Sequence, residues 1–298
     1  MPLDVPMFRP RFVPHPRSWV PAANSAGYAD PRTGQILILL TLAVYGSFRL
    51  DLEVSFLQGL VAVGAAQATQ WLGSRHQGRP FDPLSALISA LSLTLLLRTN
   101  HLAWVATAAI LAVGSKFVFR VGGRHIFNPT NFALVALLAI TPDVWVSAGQ
   151  WGASILGASA LACAGVAVSS HSSRADVPFA YLACYGTILI ARAFWLGDPW
   201  AVPWHQLQSG SLLIFAFFMI SDPKTTPDSR SARIFHAGLV AGVAAFIQFG
   251  LHRPHGALWG LALLAPALPL LNRLLPNSPF QWPGHRDASP DPLPGGSA

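Results

Sequence analysis

The chain has 298 residues, of which 52% are hydrophobic and 10% charged. A soluble domain carries about 25% charged residues, so this composition excludes an ordinary soluble fold and points to a bilayer. Nineteen Lys and Arg against twelve Asp and Glu leave a net charge of +7. The basic residues are scattered between apolar segments rather than gathered on one face, which excludes a nucleic-acid partner. Cys163 and Cys184 both lie inside apolar segments, so no disulfide framework is expected.

Residues 1–32 are rich in Pro and Arg without an apolar core, and read as an N-terminal tail rather than a secretion signal. Five apolar segments follow: Thr33 to Leu50, Val54 to Leu72, Leu84 to Leu97, Leu102 to Phe119 and Asn131 to Thr141. Five more run from Trp151 to Val168, Phe179 to Leu196, Ser209 to Ile220, Ile234 to Leu251 and Gly256 to Leu271. Residues 272–298, rich in Pro, Gly and Ser, read as a C-terminal tail. A span takes about 20 helical residues, so the third, fifth and eighth segments are too short to cross alone. Interrupted hydrophobic segments are a pointer to binding sites in repeat-built membrane proteins.

Matching the first five segments to the second five gives start offsets of 118 to 132 residues. Five segments per half is an odd number, so halves that all cross must be inverted. The expected fold is therefore an all-α polytopic membrane protein of about ten spanning or half-spanning helices. Its membrane domain, residues 33–271, would be two inverted repeats, 33–141 and 151–271. Fifteen of the nineteen Lys and Arg fall on one side of that arrangement, and only Arg49, Arg98, Arg192 and Arg253 on the other. By the positive-inside rule both tails are expected in the cytoplasm of a bacterial inner membrane.

Two polar runs interrupt the apolar pattern. Gly122-Gly123-Arg124-His125-Ile126-Phe127-Asn128-Pro129-Thr130-Asn131 lies before the fifth segment. Asn128 or Thr130 can cap a helix whose first position is Pro129, and the helix would point its positive end and free amides at an anion, a phosphate or the electron-rich edge of a flavin. Gly122 and Gly123 would allow close backbone approach, and Arg124 adds a forked donor. The alternative is a plainly capped helix after a tight turn. Ser221-Asp222-Pro223-Lys224-Thr225-Thr226-Pro227 closes the eighth segment. A carboxylate at a helix C-terminus is unfavourable, so Asp222 needs a partner: Lys224, Arg230, the next helix or a ligand. In Phe81-Asp82-Pro83, plain capping by Asp82 is the better reading. His252 and His255 have no acidic or cysteine companion nearby, so no metal is expected. No hydrolase triad, nucleotide loop or CxxC motif is present, and no catalytic residue can be named.

The runs GGRHIFNPTNFAL (122–134), FMISDPKTTP (218–227) and LSALISALSLTLLLR (84–98) together resemble one family. It contains the NqrB-like membrane subunits of the sodium-translocating NADH:quinone reductase and the RnfD-like membrane subunits of the Rnf electron-transport complex. It also has short members in enediyne biosynthesis clusters, which this chain resembles most. The resemblance implies ten helices in two inverted halves, electron transport and flavin. In its reductase members FMN is joined to a threonine of a Ser-Gly-Ala-Thr-like motif. The matching loop here holds Ser147-Ala148-Gly149-Gln150 with no following threonine, so covalent FMN is not expected. What remains is non-covalent FMN or riboflavin held by Arg124, His125, Asn128, Thr130, Asn131, Asp222, Lys224, Thr225 and Thr226, with redox or biosynthetic proteins and quinone as partners beside the lipid bilayer. A channel, a transporter or an assembly partner without redox chemistry is the competing reading.

The topology is testable directly. Reporter fusions after Ser173 and Arg230 should report cytoplasm, and one after Pro199 the outer side. A cytoplasmic signal at Pro199 would remove the five-plus-five inverted scheme.

Overall fold

A computed structural model of the protein describes residues 31–49, 55–146 and 174–278. The sixth apolar segment, most of both tails and the Ser147–Gln150 loop lie outside the described residues. Helices dominate the rest. The first set is α1 (Pro31–Arg49), α2 (Phe56–His76), α3 (Pro83–Leu96), α4 (Leu102–Val118) and α5 (Pro129–Ile140). The second is α6 (Asp176–Leu196), α7 (Ala201–Leu207), α8 (Gly210–Ile214, continued by a π-helical turn over Phe215–Met219) and α9 (Arg230–Ala245, with a π-helical turn over Phe246–Gly250). It closes with α10 (Gly256–Leu264) and α11 (Leu268–Leu274), joined by a 3-10 turn over Ala265–Ala267.

Helices over Asp176–Leu196, Arg230–Gly250 and Gly256–Leu274 are long and apolar enough to cross a membrane. The third, fifth and eighth segments are short helices, as their lengths predict. Each has an identifiable stop. In α3, Asp82 accepts the Ser85 amide at 3.3 Å and Pro83 takes the first helical position. At its other end the buried Arg98 donates to the carbonyls of Thr94, Leu95 and Leu97 at 3.1, 3.1 and 2.7 Å, satisfying groups that a helix end leaves open. In α5, the Asn128 side chain accepts the Asn131 amide at 3.0 Å with Pro129 behind it.

Short strands tie these ends together. Leu97–Thr99 (β1) pairs antiparallel with Val144–Val146 (β4), joining the C-terminal ends of α3 and α5. Arg120–Val121 (β2) pairs with Arg124–His125 (β3) through a two-residue turn in which Gly122 and Gly123 have φ of 57° and 81°. That conformation belongs to tight hairpin turns and favours glycine. The two glycines thus make the turn, and Gly123 also lines a cavity beside the hairpin.

The packing repeats between the sets. In the first, α4 packs on α2 and α5; in the second, α9 packs on α6 and α10. Contact between α5 and α10 joins the two sets. The α9–α10 crossing is close because it is lined by small residues, as is common between membrane helices. A Cβ on Gly256 would lie 2.3 Å from the Ala244 carbonyl oxygen, and one on Gly260 would lie 3.1 Å from that of Val240. Gly256→Val should therefore cost about 1–3 kcal/mol through overpacking. Gly114, in α4, has open space around it. Gly114→Ala should be neutral or gain up to about 1 kcal/mol by helix propensity. Thermal midpoints of the two purified variants check both expectations; equal midpoints would refute the close-crossing account.

Candidate functional site

The two polar runs meet. The hairpin and the start of α5 are brought against the loop that follows α8, across the boundary between the helical sets. Asn128 is the centre of this junction and is buried. Its oxygen caps α5, while its nitrogen reaches the Met219 carbonyl at 3.3 Å and the Asp222 carboxylate at 3.5 Å. One side chain thus closes the start of one short helix and the end of another.

Asp222 takes part in the turn after α8. One carboxylate oxygen accepts the Lys224 backbone amide at 3.0 Å. Of the partners the sequence offered, Arg230 is exposed and makes no ion pair with it among the described residues. Burial pushes the Asp222 carboxyl above the usual carboxylate range, opposed by the Lys224 amide, the Lys224 charge, Thr225 and Arg124. Arg124 holds the loop from the hairpin side. Its Nη1 donates to Asp228 at 2.6 Å, and its Nη2 reaches the carbonyls of Pro223 and Lys224 at 3.2 and 3.1 Å. Arg174 approaches the same Asp228 carboxylate at 3.9 Å and donates to the Pro227 carbonyl at 2.9 Å.

Five of the residues singled out in the sequence line one cavity of about 90 Å3: His125, Asn128, Thr130, Asp222 and Lys224. Of the first three amides of α5, Pro129 has no N–H and that of Asn131 is capped. Among the described residues, the Thr130 amide is thus left without a backbone partner. His125 is buried, and its pKa is held down to about 3, first by burial and then by Lys224, Lys116, Arg120 and Arg124. It is a neutral donor or acceptor at physiological pH. The other four serve differently. Arg124 clamps the loop, and Asn131 donates to the Leu258 carbonyl at 3.1 Å, tying α5 to α10. Thr225 and Thr226 are buried within the loop.

Three residues of this region were missed. Lys116 sits in the last turn of α4, buried, with Nζ 3.1 Å from Ser85 Oγ; it lies inside the fourth apolar segment but counts in the sequence only as a flanking charge. A lysine inside an apolar run was the signal for it. Asp228 and Arg32 gave no local signal, because their partners Arg124 and Asp82 lie 104 and 50 residues away.

Short apolar helices that end against one another at a buried polar junction, beside three helices long and apolar enough to cross a bilayer, define a polytopic helical membrane protein with an internal polar cavity. The family model described as the NQR2, RnfD, RnfE family matches residues 146–281. The stretch contains the Phe218–Pro227 run and stops short of the hairpin. The resemblance read from the sequence therefore stands over this second part of the chain. No curated protein matches it.

Breaking a buried ion pair leaves an uncompensated charge, which costs about 3–5 kcal/mol. Asp228→Ala should lower stability by roughly that amount, since Asp228 is 7% exposed. Asp82→Asn keeps a capping side chain and loses only the more exposed pair with Arg32, so it should cost about 1 kcal/mol. Detergent-solubilised thermal unfolding of both variants gives the comparison.

Proposed function

We propose that the protein is an integral membrane subunit of an Nqr- or Rnf-type electron-transport system that holds a flavin without a covalent bond. The supporting observation is the junction itself, where the start of α5 and the end of α8 converge with Lys224, neutral His125 and the Thr130 amide on one cavity. These donors suit the electron-rich edge of a flavin, whose ring becomes anionic on reduction. A cavity of about 150 Å3 takes one benzene ring. The junction cavity of about 90 Å3 therefore admits the edge of a flavin, and the body of its three fused rings would stand outside.

On this reading Lys224 and the Thr130 amide would hold the electron-rich edge of a bound flavin, and Asn128 keeps the two helix ends in register. The flavin would supply the electron transfer; the chain supplies position and charge. The ten segments form two inverted halves in a bacterial inner membrane with both tails cytoplasmic. Electrons pass to or from a protein partner or a quinone. The alternative of an ion path gains support from Lys116, an ionisable group buried within an apolar helix.

Purified protein should show flavin absorption that is lost on denaturation, and its band on denaturing electrophoresis should not fluoresce. Losing one charged hydrogen bond costs about 1.5 to 3 kcal/mol, so Lys224→Ala should weaken flavin binding roughly ten- to a hundred-fold. Asn128→Ala should act in the same direction with membrane insertion intact. Wild-type protein without flavin, but with Lys116-dependent ion flux in liposomes, would replace the redox reading with the transport one.

A further inference from the structure

Beside the junction lies a second cavity of about 370 Å3, between the C-terminal end of α2, the start of α3, the end of α4 and the β2–β3 hairpin. Its charge is one-sided. Arg79, Lys116, Arg120, Arg124 and Lys224 line it, against one carboxylate, Asp82. Two of these six are spoken for: Asp82 takes both of its oxygens to Arg32 at 2.8 and 2.9 Å, and Arg124 is paired with Asp228. Arg79, Lys116, Arg120 and Lys224 make no ion pair among the described residues. Burial and the neighbouring Arg79 both push the Arg120 guanidinium below its usual range, as expected of two cations held close without an anion between them.

The cavity also contains polar atoms that nothing satisfies. Arg120 gives its two Nη atoms to the carbonyls of Lys116 and Gly123, and its Nε is buried without a partner. Gln70 is 6% exposed; its amide nitrogen faces Ser74 Oγ at 3.3 Å, and its Oε1 has no partner. The Gln70 amide nitrogen carries two N–H groups, of which Ser74 takes one. Buried donors left open cost stability, and here they stand beside unpaired cations. Several donors and an excess of positive charge are the features of a phosphate cradle.

We propose that this cavity binds a phosphate group, carried either by a free phosphate compound or by an anionic lipid headgroup. Arg79 supplies a forked donor and Arg120 its open Nε. Lys116 and Lys224 supply charge from the helix and loop sides, and the buried Gln70 supplies the second N–H of its amide. The site goes beyond the flavin reading and stands without it, because Gln70, Arg79 and Arg120 take no part in the junction cavity.

The test uses the full-length protein, stripped of lipid in detergent. Inorganic phosphate should raise its thermal midpoint, and Arg79→Gln should weaken that response about ten- to a hundred-fold, the loss expected for one charged hydrogen bond. Arg253→Gln, in an exposed loop elsewhere, should leave it unchanged. In a second arm the protein is reconstituted into vesicles of phosphatidylcholine with or without phosphatidylglycerol, then re-extracted for native mass spectrometry. Retained phosphatidylglycerol that Arg79→Gln releases identifies the lipid headgroup as the source. A phosphate response without lipid preference identifies a free phosphate compound. If neither phosphate nor phosphatidylglycerol distinguishes wild type from Arg79→Gln, the proposal is overturned. Flavin content measured on the same samples should not follow Arg79, so its loss or absence tests the other reading separately.

Discussion

A helix that stops short inside apolar surroundings leaves up to four amides or four carbonyls that only protein can satisfy. The described architecture depends on how this constraint is met at α3, α5 and α8. At α3 the solution is charged at both ends, with Asp82 at the start and Arg98 folded onto the last carbonyls. At α5 and α8 the solution is shared. Asn128 caps one helix with its oxygen and reaches the last turn of the other with its nitrogen, while the Ser221 hydroxyl returns to the Phe217 carbonyl. Because one side chain satisfies both ends, neither helix can shift without disturbing the other. Asn131, donating from α5 to the Leu258 carbonyl of α10, adds a second such tie.

The loop after α8 is held for the same reason. Its carbonyls at Pro223, Lys224 and Pro227 have no helix to complete, and they are met by two guanidinium groups, Arg124 and Arg174. Those cations in turn require a buried anion, which is Asp228, itself fixed through its backbone amide to Asn272 at 2.9 Å. Charge enters this region to satisfy backbone, and the carboxylate enters to satisfy charge. The exceptions are informative. Asn131 Oδ1 and Thr226 Oγ1 are buried without partners, and each such group costs about 1–3 kcal/mol. Both belong to the residues that surround the junction.

How much of this could be read from the chain follows the range of each interaction. The caps at Asp82 and Asn128 were legible because capping acts within four residues and the following proline marks the first helical position. The short lengths of α3, α5 and α8 were legible for the same reason: their stops are written next to them. The Arg124–Asp228 and Arg32–Asp82 pairs were not, because nothing in a local pattern links residues 104 or 50 positions apart. Helix α7 has seven residues and no apolar run, and β1 and β4 have three residues each, below the length at which periodicity carries a signal. Gly122-Gly123 was legible as a tight turn before the fifth segment, because a two-glycine step between extended residues is a hairpin turn. The residues of the junction were singled out because two helix-breaking runs stood out against apolar sequence. That both runs belong together was expected from the resemblance; the contacts that join them, Asn128 to Met219 and Asp222, come from the fold.

The two cavities are not electrostatically independent. Ser85, His125 and Lys224 line both. The low pKa of His125 comes from burial and from four cations, Lys224, Lys116, Arg120 and Arg124, all of which line the basic cavity. An anion placed among those cations offsets part of their field at His125, and raises its affinity for a proton. The same anion weakens the attraction that Lys224 exerts on negative charge at the junction. Occupation of the basic cavity therefore opposes charge on a junction ligand, and by linkage a reduced, anionic ligand at the junction loosens whatever the basic cavity holds. The sign of this coupling follows from the shared residues for any pair of anions in the two spaces.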